Sequence, residues 1–152
     1  MTGARRDQAR GLRGILRGPM SENLDLVRSI CEDWRRGDFS HYEWAHPEIE
    51  FTTADLPAAG SSTGRAGMAE RWRDFLGMWQ NYSSEALEYR RLDTVRIRAV
   101  LRHRGRARTS GFEIERAVSE AVALFHVRRG HVTRLIIDGQ RENAFSDLGL
   151  EA

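Results

Sequence analysis

Near its C-terminal end the sequence contains two runs of β-branched and apolar residues separated by a short glycine-containing link. The runs are Glu120–Val127 and His131–Asp138, and Arg128-Arg129-Gly130 lies between them. Strand-forming runs on either side of such a tight link predict an antiparallel hairpin. Both runs carry apolar residues on both alternating faces, whereas a solvated antiparallel sheet needs only one apolar face. We therefore expect a second copy of the chain to cover the other face, which makes a homodimer through the sheet.

Two earlier segments carry apolar residues at three- and four-residue spacing, which predicts two amphipathic helices. The first follows Ser21 and ends at Gly37, because glycine adopts the left-handed conformation of a helix C-terminal cap. The second covers about residues 66–80. Their apolar faces consist of Leu24, Val27, Ile30, Cys31 and Trp34 in the first helix, and of Met68, Trp72, Phe75, Leu76 and Trp79 in the second.

The remaining segments predict a sheet with helices gathered on one side. A short helix is predicted over Phe39–Ala45, a loop over residues 54–64, and a short helix after Gly139. Helices segregated to one face of a mostly antiparallel sheet make an α+β fold. The strands predicted besides the hairpin are Ile49–Thr53, Glu85–Arg91, Thr94–Arg104 and Phe112–Val118.

Charge is distributed unevenly along the 152 residues. All 24 basic residues are arginines, and five of them stand in residues 1–19 against one acid, Asp7. Residues 20–152 hold 19 basic and 21 acidic side chains, so nothing in them calls for a nucleic-acid partner. We expect residues 1–19 to form a disordered leader, with Met20 as the natural start, and residues 20–152 to form a single domain.

Several classes of protein are disfavoured by what the sequence lacks. No apolar run approaches the ~18 residues that cross a membrane. Cys31 is the single cysteine, so no intrachain disulfide can form, which favours a reducing cytoplasm. No spacing of His, Cys and Asp resembles a metal site, and no glycine-rich phosphate loop occurs. We therefore expect neither a metal nor a cofactor.

Segments spread over residues 21–150 resemble the SnoaL-like proteins, a family of small domains that includes the ketosteroid isomerases. They are Glu22–Arg28, Arg36–Phe39, His46–Phe51, Gly64–Met68, Arg102–Arg106 and Gln140–Phe145. The resemblance implies a nuclear-transport-factor-2-like cone, in which a curved, mostly antiparallel sheet wraps around helices and leaves one deep apolar pocket. The same cone hosts isomerases, cyclases, epoxide hydrolases and non-enzymatic binders, so the fold does not identify the function.

Two catalytic sets known on this cone are missing from the sequence. By resemblance, the tyrosine and two acids of ketosteroid isomerases fall on Ile30, Thr52 and Ala123. Epoxide hydrolases use an Arg-x-Asp pair on one strand and an Asp on the last strand. The matching strand here reads Arg102-His103-Arg104, and the last concave position falls on Gly139. Steroid isomerisation and epoxide hydrolysis by those mechanisms are therefore not expected.

His103 is the remaining acid–base candidate for a cyclase or isomerase. It lies on the same strand face as Ala99 and Leu101, and this face is expected to point into the pocket. Alternatively, because His103 is near the end of the strand, its side chain lies in water or forms a hydrogen bond between subunits. Asp55, in the loop after the first strand, is a weaker candidate because loop aspartates commonly form turns. The predicted pocket lining comprises Ile30, Trp34, Phe51, Thr52, Trp72, Phe75, Leu101, His103, Ala123, Phe125, Leu135 and Ile137.

Three functions are compatible with this pattern. The first is a binding protein for a small apolar molecule held in the cone. The second is a cyclase- or isomerase-type enzyme that uses His103 as an acid–base group. The third is a protein-interaction domain whose cavity has collapsed.

Overall fold

The computed structural model describes residues 21–54, 59–107 and 120–139. The strands within these ranges form one six-stranded sheet in the order β2-β1-β6-β5-β4-β3, in which the β1–β6 pair is parallel and the other described pairs are antiparallel. The predicted α+β fold with a curved, mostly antiparallel sheet is confirmed. Its elements are α1 (residues 21–35), β1 (Ala45–Ala54), β2 (Gly60–Thr63), α2 (Arg65–Leu76), β3 (Trp79–Arg91), β4 (Arg96–Ala107), β5 (Glu120–Arg128) and β6 (His131–Asp138).

A cluster of aromatic rings joins the two helices to the sheet. The Trp72 ring on α2 lies with its centroid 5.4 Å from that of Trp34 on α1 and 5.6 Å from that of Phe51 on β1. The Phe39 ring lies 4.9 Å from Trp72, and the Phe125 ring on β5 lies 5.9 Å from Trp34. Each such ring pair contributes ~0.5–1.5 kcal/mol beyond the burial of its surface. This aromatic cluster fixes both helices over one face of the sheet.

The end of α1 matches the prediction made from Gly37. This glycine has φ +78°, and its N–H donates to the Trp34 carbonyl at 3.0 Å. The Asp38 N–H donates to the Asp33 carbonyl at 2.9 Å, which completes a Schellman motif. The chain therefore turns sharply after α1, toward the aromatic cluster.

The predicted helix over Phe39–Ala45 is wrong, since residues 38–42 form no regular element and a turn precedes β1. The Asp38 carboxylate accepts hydrogen bonds from the Ser40 backbone N–H and hydroxyl, a local alternative to helical pairing. Phe39 is buried in the aromatic cluster, and the indole N–H of Trp44 donates to the His41 carbonyl. These contacts hold the segment in an irregular conformation.

Two other boundaries differ from the prediction. Part of the predicted 54–64 loop is β2, which pairs with β1 despite its small, exposed residues; backbone pairing overrides their weak strand propensity. α2 ends at Leu76 rather than residue 80, and β3 begins at Trp79 rather than Glu85. The predicted leader 1–19, the strand Phe112–Val118, the helix after Gly139 and Asp55 lie outside the described residues.

β3 contains two bulges that reverse its alternation. Asn81 and Tyr82 face one residue of β4, and Asn81 adopts φ +53°; Leu87 is the extra residue of the second bulge. Because each bulge adds one residue, two side chains that are three positions apart across a bulge face the same side of the sheet. Those packed toward the core are Trp79, Tyr82, Ser84, Ala86 and Tyr89.

The opposite face of the sheet is already buried within the single chain. Its apolar side chains are at most 9% exposed, although they lie outside the main core cluster. Because these side chains are already buried in a single chain, they do not need a second copy to cover them. The homodimer therefore stays a prediction. These side chains are Val100, Val122, Leu124 and Ile136.

In the described part of the chain, neither helix is long and apolar enough to cross a membrane. The same residues contain no group of three His, Cys, Asp or Glu side chains placed to hold a metal ion.

The predicted β5–β6 hairpin is confirmed, and its turn supplies a matched pair of glycine tests. Arg128 pairs with His131, so Arg129 and Gly130 form a two-residue turn in which both have positive φ, as a type I′ turn requires. Gly130 has φ +79° and open space where a Cβ would lie. Gly37 has nearly the same φ, but a Cβ there would lie 3.2 Å from the Tyr82 carbonyl oxygen.

We expect Gly130→Ala to lower the free energy of unfolding by about 1–2 kcal/mol, the cost of a left-handed L-residue. Gly37→Ala should cost more, because it adds a close contact to the same backbone penalty. Each kcal/mol corresponds to a fall of ~2–4 °C in Tm for a domain of this size. Thermal denaturation of both variants measures the difference; equal losses would contradict the close approach at Gly37.

Candidate functional site

A cavity opens between the helices and the concave face of the sheet. It is lined from both helices and four strands, and most of its lining side chains are buried. Among the described lining residues there is no carboxylate, and Arg71 carries the one permanent positive charge. The lining consists of Trp34, Phe51, Thr53, Arg71, Trp72, Phe75, Tyr82, Ser84, Leu101, His103 and Ile137.

The cavity is narrow in this structure. Gaps between the lining side chains total about 470 Å³, counting the part open to solvent, but only about 20 Å³ can hold the centre of a water molecule. A single water needs ~10–15 Å³ measured in this way. The cavity therefore has room for about one water, and a larger molecule requires the lining rings to move apart.

His103 stands at the buried end of the cavity and is hydrogen-bonded within the same chain. Its Nδ1 lies 2.6 Å from the Tyr82 hydroxyl and 3.3 Å from the Ser84 hydroxyl. The imidazole also stacks on the Tyr82 ring, with centroids 5.6 Å apart. Ser84 pairs directly with His103 across the β3–β4 ladder. Tyr82 stands two residues before Ser84 in β3 and therefore faces the same side of the sheet.

Burial keeps the His103 imidazole neutral. The side chain is 6% exposed, and burial lowers its pKa from 6.5 to about 4. Burial likewise raises the pKa of Tyr82, so its hydroxyl keeps its proton. If Nδ1 accepts that proton in a hydrogen bond, the imidazole hydrogen lies on Nε2. Nε2 is buried and has no hydrogen-bond partner in the part of the chain that the structure describes.

Thr53, Arg71 and Phe75 form the more open side of the cavity. All three side chains are partly exposed, in contrast to the buried end at His103. The Arg71 guanidinium donates through Nη2 to the Thr53 hydroxyl and lies 5.8 Å from the Phe51 ring centroid. A cationic group thus stands at the mouth of the cavity, and a neutral imidazole stands at its base.

The structure places seven predicted lining residues on the cavity: Trp34, Phe51, Trp72, Phe75, Leu101, His103 and Ile137. The alternative placement of His103, in water or between subunits, is wrong. Thr52 does not line the cavity, because it follows Phe51 directly in β1 and faces the other side of the sheet. Thr53, the next residue, lines the cavity instead. Four others are core residues beside the cavity, since α1 packs over that part of the sheet: Ile30, Ala123, Phe125 and Leu135.

Four residues that line the cavity were not among those predicted: Thr53, Arg71, Tyr82 and Ser84. Arg71 was overlooked because it sits on the polar side of the α2 pattern, next to Trp72. Tyr82 and Ser84 stand two apart, as inward residues of a strand do, but the predicted strand began at Glu85. Extending that strand back to residue 79 would have placed a tyrosine beside His103.

Comparison with known proteins finds similarity in structure. No family model matches the sequence, and no curated protein sequence matches it. An NTF2-like protein of unknown function from Burkholderia pseudomallei superposes with a TM-score of 0.69 at 17% identity, over 84% of this chain and 97% of that chain. TerC, co-crystallised with polyporic acid, superposes with a TM-score of 0.67 at 18% identity, over 84% and 98%. A candidate SnoaL-like polyketide cyclase from Jannaschia sp. gives 0.67 at 11% identity, over 79% and 86%.

The buried His103 predicts a specific dependence of stability on pH. The unfolded chain binds a proton at this histidine near pH 6.5, whereas the folded chain binds it only near pH 4. Between these values the unfolded state holds more protons, so the free energy of unfolding falls as the pH falls. The contribution of the neutral, buried His103 to the free energy of unfolding is fully present above pH 6.5. About 3 kcal/mol of this contribution is lost by pH 4.

We expect His103→Gln to remove this part of the pH dependence, because the amide does not titrate. Tyr82→Phe is the matched control, since it keeps the buried imidazole and therefore keeps the dependence. Urea denaturation between pH 4 and pH 7 measures both. Parallel curves for the natural chain and His103→Gln would mean that His103 is not buried as a neutral group.

Proposed function

We propose, from the nuclear-transport-factor-2-like fold that the chain shares with these proteins, that it binds a small, flat, mostly apolar molecule in its cavity. The walls suit such a molecule, because rings of Trp34, Phe51, Trp72 and Phe75 offer flat apolar surfaces. One buried polar atom in an apolar site can orient a ligand by a single hydrogen bond.

The observation that carries the proposal is the His103 Nε2 atom, which is buried without a hydrogen-bond partner among the described residues. Leaving a buried polar group unsatisfied costs ~1–3 kcal/mol, and native structures pair most such groups. Nδ1 of the same ring is held by Tyr82, so the ring cannot turn to satisfy Nε2 without breaking that contact. A ligand oxygen is a suitable partner for an Nε2–H donor.

The neutral state of His103 favours binding over acid–base catalysis. Efficient proton transfer needs a group whose pKa lies near the working pH, and the pKa of this imidazole is about 4. A neutral imidazole still donates a hydrogen bond to a carbonyl or hydroxyl oxygen. TerC, which has the same fold, was crystallised with an organic compound, and this supports a small-molecule ligand here.

Binding requires the cavity to widen. Phe75 and Arg71 are only partly buried, so their movement exposes little new core. Side-chain rotation of this kind is common when a ligand binds. We therefore place the entrance between α2 and β1, and the ligand's polar atom at the base.

A first test compares 1-tetralone, a bicyclic aromatic ketone, with tetralin, which lacks the oxygen. We expect the ketone to bind more tightly and to quench the fluorescence of Trp34 and Trp72. His103→Leu should weaken the ketone about threefold to tenfold, the net value of one hydrogen bond, and leave tetralin unchanged. His126→Leu, at a half-buried histidine away from the cavity, is the control. Failure of both compounds to bind, with no small molecule co-purifying by mass spectrometry, would favour the interaction domain with a collapsed cavity.

A second candidate function is a cyclase- or isomerase-type enzyme. The observation that favours it is the Tyr82–His103 pair, in which a hydroxyl and an imidazole lie 2.6 Å apart beside the cavity. A ligand that brings an anionic group close to His103 would raise the pKa of the imidazole toward neutrality, and the pair could then move a proton.

For the enzyme, we expect His103→Gln to lower turnover of a compound recovered from the purified protein by at least about a hundredfold. Folding and affinity should be kept, because glutamine preserves the size and polarity of the site. Rates and dissociation constants are measured side by side. If affinity or Tm falls while turnover is unchanged, His103 serves binding and structure instead of proton transfer.

A further inference from the structure

The hydroxyl of Tyr82 determines which kind of hydrogen-bonding atom the base of the cavity offers to a ligand. Building on the proposed function, we propose that Tyr82 is its specificity-determining residue, because the hydroxyl holds His103 in the tautomer that carries hydrogen on Nε2. The cavity then selects ligands whose polar atom is a pure acceptor, such as a ketone oxygen or an aromatic ring nitrogen. It discriminates against ligands that offer an N–H donor at the same position.

The hydrogen bonds around Nδ1 of His103 set the tautomer. The Tyr82 and Ser84 side chains are both buried, and Nδ1 is the hydrogen-bond partner of each hydroxyl among the described residues. A hydrogen on Nδ1 would leave both hydroxyl hydrogens without an acceptor among these residues, whereas a bare Nδ1 accepts one of them. The second arrangement leaves fewer buried donors unsatisfied, so the hydrogen of the neutral ring lies on Nε2.

Tyr82 supplies the hydrogen that Nδ1 accepts. Its hydroxyl oxygen lies 2.6 Å from Nδ1, within the range of a strong hydrogen bond, whereas the Ser84 oxygen lies at 3.3 Å, beyond that range. A phenol is also a more acidic donor than an aliphatic hydroxyl, and its proton stays on the oxygen because burial raises the pKa of Tyr82. The tautomer of His103 therefore depends on this one hydroxyl.

Ring packing holds the Tyr82–His103 pair in place. The Tyr82 ring stacks on the imidazole with an interplanar angle of 24°, and its centroid lies 5.5 Å from that of Phe39 and 5.0 Å from that of Phe75. A half turn of the imidazole would bring the carbon Cδ2 against the Tyr82 hydroxyl and break the hydrogen bond. The orientation of the ring and the position of its hydrogen are therefore fixed together.

An Nε2–H group distinguishes two classes of apolar ligand. A carbonyl oxygen or a ring nitrogen accepts its hydrogen, whereas an N–H group at the same position meets a second hydrogen and both donors stay unpaired. An unpaired buried donor lowers the affinity about fivefold or more. The chemical class that fits the base is thus a flat ketone, quinone or aza-aromatic compound.

The first measurement follows the tautomer without any ligand. Two-bond nitrogen–proton correlation spectra show which nitrogen of His103 carries hydrogen, and the signals of His103 are those absent from His103→Gln. We expect hydrogen on Nε2 in the natural chain. Tyr82→Phe keeps the ring but removes the hydroxyl, so a measurable fraction should carry hydrogen on Nδ1, which can then donate to the Ser84 oxygen.

The matched control is Tyr89→Phe. Tyr89 is an inward residue of the same strand that does not line the cavity, so its hydroxyl has no part in the contact with His103. This variant should show the same His103 tautomer as the natural chain.

The second measurement uses three probes of similar shape and isothermal titration calorimetry. They are 1-tetralone, which is an acceptor, tetralin, which has no polar atom, and 1,2,3,4-tetrahydroquinoline, which is an N–H donor. We expect the natural chain to bind them in this order, with the ketone at least about fivefold tighter than the amine. Tyr82→Phe should lower this ratio at least about threefold, mainly through tighter binding of the amine, and Tyr89→Phe should keep it within about twofold.

The outcomes separate this inference from the function on which it rests. Hydrogen on Nδ1 in the natural chain, or a ketone-to-amine ratio that Tyr82→Phe leaves unchanged, overturns the inference while the cavity remains a binding site. If none of the three probes binds to the natural chain, the proposed function and the inference are both overturned.

Discussion

Packing of aromatic rings around Trp72 is the interaction on which the rest of the structure depends. This one side chain on α2 contacts Trp34 on α1, Phe39 on the irregular segment after it, and Phe51 on β1. It therefore joins α2 to α1, to the segment that follows α1, and to β1. The rings of Trp34, Phe51 and Trp72 also form walls of the cavity, so the site is a gap within the core and its shape depends on how these flat rings pack. A substitution that repacks the core would also alter the site.

Most of the fold could be predicted from periodicity, because the signals are strong where a face is buried. The helical spacing of Val27, Ile30 and Trp34 and the alternation of Ala99, Leu101 and His103 match the buried faces of α1 and β4. Prediction failed where local sequence was overridden by contacts from elsewhere. Phe39 packs in the aromatic cluster, and its segment does not form the predicted helix. The Gly-Ser-Ser-Thr segment forms a strand because β1 pairs with it.

The site was predicted in part for the same reason. Alternation identified His103, since a strand fixes which neighbours share a face. It did not identify Tyr82, because the predicted strand began at Glu85, whereas β3 begins at Trp79. The low pKa of His103 could not be predicted from the sequence either, since it arises from burial of the imidazole in the folded chain. The polar contacts of the cavity join residues about twenty positions apart, Arg71 with Thr53 and Tyr82 with His103.

The bulge at Asn81 also decides what a change in the length of β3 would do. Trp79 and Tyr82 stand three positions apart and yet both pack inward, because the extra residue between them reverses the pleat once. Loss of that single residue would restore regular alternation and leave Trp79 opposite Ala107 and facing inward. In a regular strand the same deletion would turn the side chains on one side of it to the other face of the sheet. The indole that packs against Phe75 and Tyr82, two residues that line the cavity, is therefore insensitive to the loss of a residue at this one position.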